Sequence, residues 1–447
     1  MNDALQSALD KLRRDGASPS LQAAFRCAFT RVARGETGLI SESDLEPISA
    51  LPSLADAEAH KNEGLASLPH TVVIKLNGGL GTSMGLDKAK SLLPVKNGLT
   101  FLDLIARQVL HVRATYGIPL PLLLMNSYRT EADTLTALTR YPELAQQAVP
   151  LSFRQNRFPK LHADSLAPVS WPADPDKEWC PPGHGDLYAA LAGSGMLDRL
   201  LAAGFRYAFV SNADNLGADL DPCILGYLVA TGASFLMEVT ARTAADRKGG
   251  HLAARKGGGF LLRESAQCPP DEADRFQDID RHRYFNTNNI WIDLNALARF
   301  MDETGGPPDL PVIVNRKTID PRDPESPSIL QLETAMGAAL AVLPGATALA
   351  VPRSRFAPVK TTDDLLAIWS DAYVLCPDAR ITLDPRRHGT PPMVRLDPRF
   401  YKSWSDFAER FPEGAPSLID CESFIVEGDI RFGPGVIARG RAVISAH

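Results

Sequence analysis

After a short apolar run, Val72 to Leu76, the chain reads Asn77-Gly78-Gly79-Leu80-Gly81-Thr82-Ser83-Met84-Gly85 and then places two lysines, Lys88 and Lys90. Glycines that follow a buried strand let backbone N–H groups approach a phosphate chain without side-chain obstruction, and a lysine just beyond them supplies a charge for it. The chemistry this pattern suits is the handling of a nucleotide's phosphates. Two well-known loops of that kind fail on spacing. The dinucleotide fingerprint G-x-G-x-x-G, started at Gly79 and Gly81, meets Met84 one position before Gly85. The P-loop G-x-x-x-x-G-K-[ST] needs glycine immediately before Lys90-Ser91, where the chain has Ala89. A second cue lies far downstream, where Asp214 follows the apolar run Tyr207 to Val210 within Ser211-Asn212-Ala213-Asp214-Asn215. The carboxyl ends of parallel strands are where such sheets bind ligands, and Mg²⁺ takes one or two carboxylates together with phosphate oxygens.

What remains of the loop, Leu-x-Gly-Gly-x-Gly-Thr-x-x-Gly with a lysine a few residues on, resembles the signature of sugar nucleotidyltransferases. The wording Leu76-Asn77-Gly78-Gly79-Leu80-Gly81-Thr82-Ser83-Met84-Gly85 is similar to that of the eukaryotic-type UTP:glucose-1-phosphate uridylyltransferases. The resemblance continues through Gly98-Leu99-Thr100-Phe101-Leu102-Asp103, Met125-Asn126-Ser127, Gln155-Asn156, Pro182-Gly183-His184-Gly185-Asp186, Phe285-Asn286-Thr287-Asn288-Asn289, Glu333-Thr334-Ala335-Met336-Gly337 and Val359-Lys360-Thr361-Thr362, and it spans about residues 40 to 375. It implies an enzyme that joins UTP to glucose 1-phosphate with Mg²⁺ and yields UDP-glucose and pyrophosphate. In that reaction an oxygen of the sugar phosphate attacks the α-phosphorus in line. Two anions must meet and a charged group must leave, so the chemistry needs cations and backbone donors rather than a nucleophilic side chain.

On this resemblance Lys90 is expected to neutralise the leaving β and γ phosphates, Lys360 to reach the α-phosphate, and Asp214 to hold the metal. Uracil falls to Gln155 with the backbone of Gly78, Gly79 and Gly183. The other substrate contacts fall to Leu76, Asn77, Gly81 and Thr82 in the loop and to His184, Asn212, Asn215, Asn288, Asn289 and Glu333, with His184 a neutral donor to the sugar phosphate. One departure is Lys88-Ala89, where the family usually has Gly-Pro; it makes Lys88 a candidate to share the phosphate charge. In the related enzymes for N-acetylglucosamine 1-phosphate the loop reads Gly-Gly-Gln-Gly-Thr-Arg, and Leu80 and Ser83 at the equivalent positions argue against that substrate. A non-catalytic sensor of UDP-sugars would be expected to lose Lys90, Lys360 or Asp214, and all three are present.

The elements that must position these residues alternate in type. From Thr71 onward, strand-like runs (Val72 to Leu76, Leu120 to Met125, Tyr207 to Val210, Asn289 to Ile292, Ala346 to Val351) are interleaved with helical ones (Phe101 to Tyr116, Ile329 to Leu340, Asp363 to Tyr373), and Ser234 to Ser265 reads as strands and a hairpin. The expected fold is α/β, a mixed, mainly parallel sheet flanked by helices, Rossmann-like. Leu5, Leu9 and Leu12, then Leu21, Phe25, Phe29 and Val32, predict a helical N-terminal part. Near the other end Phe424, Ile430, Val436 and Ala442 recur every six residues with Gly428, Gly433, Gly435 and Gly440 between them, which predicts a short left-handed β-helix. The expected division is 1–65 helical, 66–380 catalytic and 381–447 C-terminal. So short a β-helix is expected to leave the protein a monomer or a small homo-oligomer.

Composition narrows the class. The 447 residues exceed one ordinary core. Lys and Arg number 47 against 53 Asp and Glu, so the chain has no basic footprint and a nucleic-acid partner is not expected. No apolar run approaches a bilayer span, so no membrane partner is expected. Met1 to Gly16 lacks the apolar core of a secretory signal, and a cytoplasmic protein is expected. The six cysteines are too scattered for a zinc site and read as reduced thiols.

Overall fold

The computed structural model describes residues 2–243, 246–247, 249–320, 323 and 325–446, apart from the side chains of Asn2 and Ser83. The chain forms two compact units, one from 1–74, 148–210 and 221–352, the other from 75–147, 211–220 and 353–447. Neither breaks at 65/66 or 380/381. The largest sheet is mixed, has ten strands and is flanked by helices.

In the first unit the strand Tyr284–Asp293 runs antiparallel to Tyr207–Val210 and to Phe235–Ala241, and Phe235–Ala241 pairs in parallel with Thr347–Ala350. The sheet is thus less parallel here than the alternation of strands and helices predicts, because Tyr284–Asp293 runs against both neighbours. The segment Ile329 to Leu340, expected as a helix, is instead the strand Ser328–Thr334 followed by a 3₁₀ turn, Met336–Ala341. Ile329-Leu330-Gln331-Leu332-Glu333 satisfies both a helical and an alternating pattern. The alternating one prevails because the strand pairs along its whole length with Val312–Thr318, and Leu330 and Leu332 enter a core. That core is completed by two helices, Asn2–Arg14 and Pro19–Ala33. Ser18 caps the second through the Leu21 N–H, and Pro19 opens it where no N–H is needed. Leu9, Leu12, Leu21, Phe25 and Phe29 pack there with Phe158 and Val312, each large side chain contributing about 1.5–3 kcal/mol of apolar transfer.

In the second unit the helix Phe101–Tyr116 has the bounds expected of it, because both ends are written locally. Thr100 and Asp103 form a reciprocal capping box, and Gly117 ends the helix at φ +64°. The helix expected over Asp363 to Tyr373 runs Thr362–Trp369 and stops early, with Tyr373–Leu375 a short strand instead. Three strands, Met393–Leu396, Cys421–Glu427 and Gly440–Ser445, lie parallel. Phe424 pairs with Ala442, and the intervening Ile430 and Val436 pack against the same core. That core also takes in Met84 of the glycine loop together with Tyr401, Phe407 and Val359. Among the described residues no helix is long and apolar enough to cross a membrane.

Candidate active site

The second unit gathers the loop, both lysines and Asp214. The strand Thr71–Asn77 feeds the loop, whose backbone folds on itself through Met84 N–H and Leu86 N–H to the Gly81 carbonyl. The loop closes through Lys90 N–H to the Gly79 carbonyl at 3.2 Å. A Cβ on Gly81 would lie 2.4 Å from Leu86 Cδ1 and would force that side chain to shift, whereas Gly79 faces open space. Exposed Thr82 starts a 3₁₀ turn and Leu76 is half-buried. Asn77 is buried, its amide donating to Asn126 Oδ1 at 2.8 Å and Thr134 Oγ1 at 3.0 Å. Its side chain therefore anchors the loop's entry from inside.

Lys90 Nζ lies 2.6 Å from Asp214 Oδ2, a partly buried ion pair between residues 124 positions apart. Lys88 is exposed. Asp214 sits just past the strand Tyr207–Asn212, as expected, and half-buried Asn212 ends that strand. Asn215 does the stitching here. Its Oδ1 accepts from Gly217 N–H and Ala357 N–H, and its Nδ2 donates to the Arg355 carbonyl. Val359 N–H then donates to the Asp214 carbonyl at 3.2 Å. The turn that carries Asp214 is thereby laced to the segment that carries Lys360. Exposed Lys360 precedes the helix Thr362–Trp369, with its backbone N–H held by Asp364 at 2.8 Å in the capping box of Thr361. Beneath this assembly lies Lys75, buried, donating to Ser211 Oγ at 2.7 Å and the Ala218 carbonyl at 2.8 Å.

Asp214 offers hard oxygen, which suits Mg²⁺. Among the described residues no group of three or more His, Cys, Asp or Glu side chains forms a metal cage. The donor set therefore fits a metal held by a carboxylate with phosphate oxygens and not one enclosed by protein.

The first unit gathers the residues expected at base and sugar. Gln155 donates from Nε2 to the Gly183 carbonyl at 3.0 Å. Gly183 has φ +78°, and a Cβ there would lie 2.4 Å from the Thr334 carbonyl oxygen; Gly185 is as tightly pressed on Thr334 Oγ1. Between them His184 accepts the Met336 backbone N–H at Nδ1, 3.0 Å away. A backbone N–H can only donate, so Nδ1 carries the lone pair and the ring proton is on Nε2. Burial pushes the imidazole's pKa down to about 4, so the ring stays neutral.

Asp186, which the sequence alone assigns no role, ties this segment together. It is 3% exposed and accepts both the Asn156 backbone N–H, at 2.7 Å, and the Asn156 amide, at 2.9 Å. Burial raises its carboxyl to about 7 against those two bonds, which pull the other way. A carboxylate directly before the apolar run Leu187 to Leu191 was the available signal; likewise for Lys75 in the apolar strand. Asn288 has φ +56°, a conformation asparagine tolerates, and exchanges hydrogen bonds with Asn286. Asn289 is buried and donates to Glu238 Oε2, while Trp291 Nε1 donates to Glu238 Oε1. Glu333 accepts from Asn315 at 3.0 Å, and burial raises its carboxyl despite nearby Lys317.

Of the candidates, then, Leu76, Asn77, Gly78, Gly79, Gly81, Thr82, Lys90, Asn212, Asp214, Asn215 and Lys360 belong to one unit, and Gln155, Gly183, His184, Asn288, Asn289 and Glu333 to the other.

Known proteins share this pattern. The sequence profile described as UTP--glucose-1-phosphate uridylyltransferase matches residues 22–439. The enzyme of that name from Saccharomyces cerevisiae is 43% identical over 383 residues, 86% of this chain and 75% of the relative. The one from Hordeum vulgare is 39% identical over 99% of this chain and 92% of its own length. The UDP-glucose pyrophosphorylase from Leishmania major, solved in open and closed forms, superposes with a TM-score of 0.93 at 45% identity, covering all of this chain and 95% of that one. Profile, sequence and backbone agree along nearly the whole length, and the chain belongs to the UTP--glucose-1-phosphate uridylyltransferase family.

Proposed function

We propose that this protein transfers the uridylyl group of UTP to glucose 1-phosphate, giving UDP-glucose and pyrophosphate. The observation that carries the mechanism is the Lys90–Asp214 pair, which puts the loop's cation against the strand-end carboxylate. An oxygen of the sugar phosphate forms a bond to the α-phosphorus, the bond to the bridging oxygen breaks, and its electron pair leaves on pyrophosphate. Lys90 exchanges Asp214 for the β and γ phosphates as UTP enters. Lys360 meets the charge that grows on the α-phosphate. Asp214 is the residue that would hold Mg²⁺, whose chemistry would be neutralisation of phosphate charge. Gln155 reads the uracil edge, with Gly78, Gly79 and Gly183 offering backbone groups. His184 donates from Nε2, and Asn288, Asn289 and Glu333 serve the sugar hydroxyls. Leu76, Asn77, Gly81, Thr82, Asn212 and Asn215 shape the phosphate side, the Asn215 amide by holding backbone and the Asn77 amide by donating to the Asn126 and Thr134 side chains.

The parallel C-terminal strands, with Phe424 opposite Ala442 after three six-residue steps, support a short left-handed β-helix. With it goes a monomer or small homo-oligomer, in the cytoplasm. For function, the division is 1–65, 66–380 and 381–447.

The test is pyrophosphate release with a panel of sugar 1-phosphates. Glucose 1-phosphate is expected to give the highest kcat/KM, and a comparable value for galactose 1-phosphate or N-acetylglucosamine 1-phosphate would reject that specificity. Lys90→Ala and Lys360→Ala should each lower kcat by roughly 10²- to 10³-fold, and Lys90→Ala should also raise the KM for pyrophosphate in reverse. Lys88→Ala is the control, expected to do less because Lys90, and not Lys88, is seated against Asp214; damage equal to Lys90→Ala would mean the loop lysines are assigned in the wrong order.

A further inference from the structure

We infer that Lys96, a residue given no role above, is a positioning residue that keeps Lys90 and Lys360 in register by gripping the far end of the helix Thr362–Trp369. The inference rests on the reading that Lys360 acts on the α-phosphate.

Lys96 is almost wholly buried. Its Nζ donates to the carbonyls of Ile368 at 2.8 Å, Ser370 at 2.6 Å and Trp369 at 3.3 Å. An ammonium has three donors, and here all three go to the carbonyls that the end of a helix leaves unpaired. The positive charge also faces the negative end of the helix dipole. A second tie lies alongside, because Trp369 Nε1 donates to the Pro94 carbonyl at 3.2 Å.

Both ties belong to one short stretch of chain. Lys90–Leu92 is a 3₁₀ turn, and the strand Pro94–Lys96 follows almost at once. The segment that presents Lys90 is therefore fastened to the C-terminal end of the helix. At the other end Asp364 Oδ2 accepts the backbone N–H groups of Lys360, at 2.8 Å, and Thr361, at 2.9 Å. The helix between is eight residues, a rigid strut of about 12 Å. Movement of its C-terminal end relative to Pro94–Lys96 is movement of Lys360 relative to Lys90.

A glycine cap would end a helix at far lower cost than a buried ammonium. Among the described residues no carboxylate bonds to Lys96. Asp371, which favours its charge from a distance, spends its oxygens on Ser417 Oγ and on the Leu418 and Ile419 N–H groups. Burial accordingly pushes the lysine down to about 8. What this cation provides that a cap would not is a fixed joint between two segments that each carry a catalytic lysine.

The experiment is a double-mutant cycle with Lys96→Met and Lys360→Ala, read as kcat and KM for UTP with glucose 1-phosphate. Lys96→Met alone should lower kcat about 10- to 100-fold, the range for a misplacement of about 1 Å, and change the KM for UTP less than about threefold. In the Lys360→Ala background its effect on kcat should shrink to less than about threefold, because the group it positions is gone. Trp369→Phe, which keeps an aromatic side chain but removes the tie to Pro94 together with part of the ring packed on Trp404 and Phe407, is the second variant should Lys96→Met fail to fold; it should lower kcat in wild type and not in Lys360→Ala. Equal fold losses in both backgrounds would overturn the positioning role while leaving the α-phosphate reading intact. A lowered melting temperature with kcat unchanged would overturn it too, leaving Lys96 a helix cap. Near-wild-type turnover of Lys360→Ala would overturn the α-phosphate reading by itself, whatever Lys96→Met does.

Discussion

Replacing Asp186 by asparagine tests whether burial or hydrogen bonding governs the segment that holds Gln155 and His184. The carboxyl is 3% exposed, and its pKa near 7 stands about 3 units above the ordinary aspartate value. At about 1.4 kcal/mol per unit the folded protein prefers the neutral acid by about 4 kcal/mol, even with the two Asn156 donors working for the anion. Between pH 3.8 and about 7 the folded state then binds more protons than the unfolded chain. This contribution is complete below pH 3.8 and is lost as the pH rises through 7. Asp186→Asn is neutral at every pH. It starts with a constant penalty of about 1–3 kcal/mol, since Nδ2 takes the place of one of the two oxygens that accept from Asn156 and can only donate. The assay is urea unfolding of both proteins from pH 5 to pH 8. Over that window wild type should lose about 3 kcal/mol relative to the variant. Parallel stability curves would refute the reasoning, because they would mean that Asp186 is ionised in the folded protein throughout and that the Asn156 bonds outweigh burial.

Gly183→Ala should destabilise the protein by about 2 kcal/mol or more and raise the KM for UTP, since φ +78° and a carbonyl 2.4 Å from the new Cβ both oppose it; a thermal melt within 1 °C of wild type would contradict the packing. His184→Asn retains an acceptor for the Met336 N–H and loses the outward Nε2 donor, so it should melt like wild type yet lower kcat/KM for glucose 1-phosphate about 10-fold or more. His184→Gln does the reverse and should melt earlier. Because the imidazole is held near 4, neither kcat nor KM should show an ionisation that disappears in His184→Asn between pH 5 and 9.

The glycine loop, Lys90 and Asp214 stand out as candidates in the sequence because each is written in a few consecutive residues whose chemistry is local, and Lys360 through the family resemblance. Thr100, Asp103 and Gly117 fix the ends of the helix Phe101–Tyr116 with equally local contacts. Ile329 to Leu340 was misread because its pattern carries two periods, and only the partner strand Val312–Thr318 decides between them. Tyr284–Asp293 shows the matching limit for the sheet: its direction depends on neighbours that start about 50 to 75 residues away.

The residues that hold the site were the least legible, and the reason is energetic. Lys75, Lys96, Asp186 and Asn215 each bury a polar or charged group, which costs several kcal/mol unless its partners are in place. Those partners lie far along the chain, 136 positions for Lys75 and Ser211, 272 for Lys96 and Ile368, 142 for Asn215 and Ala357. No window of sequence contains both halves of such a bond. What the sequence does contain is the anomaly itself, a lysine inside Val72-Val73-Ile74-Lys75-Leu76 or after Leu92-Leu93-Pro94-Val95. A charge placed where the pattern demands an apolar side chain must find a distant acceptor as the chain folds. In this protein the acceptors of Lys75 and Lys96 are backbone and hydroxyl oxygens beside the segments of Asp214 and Lys360, so each burial ties down a segment that carries one of the residues proposed to act on phosphate.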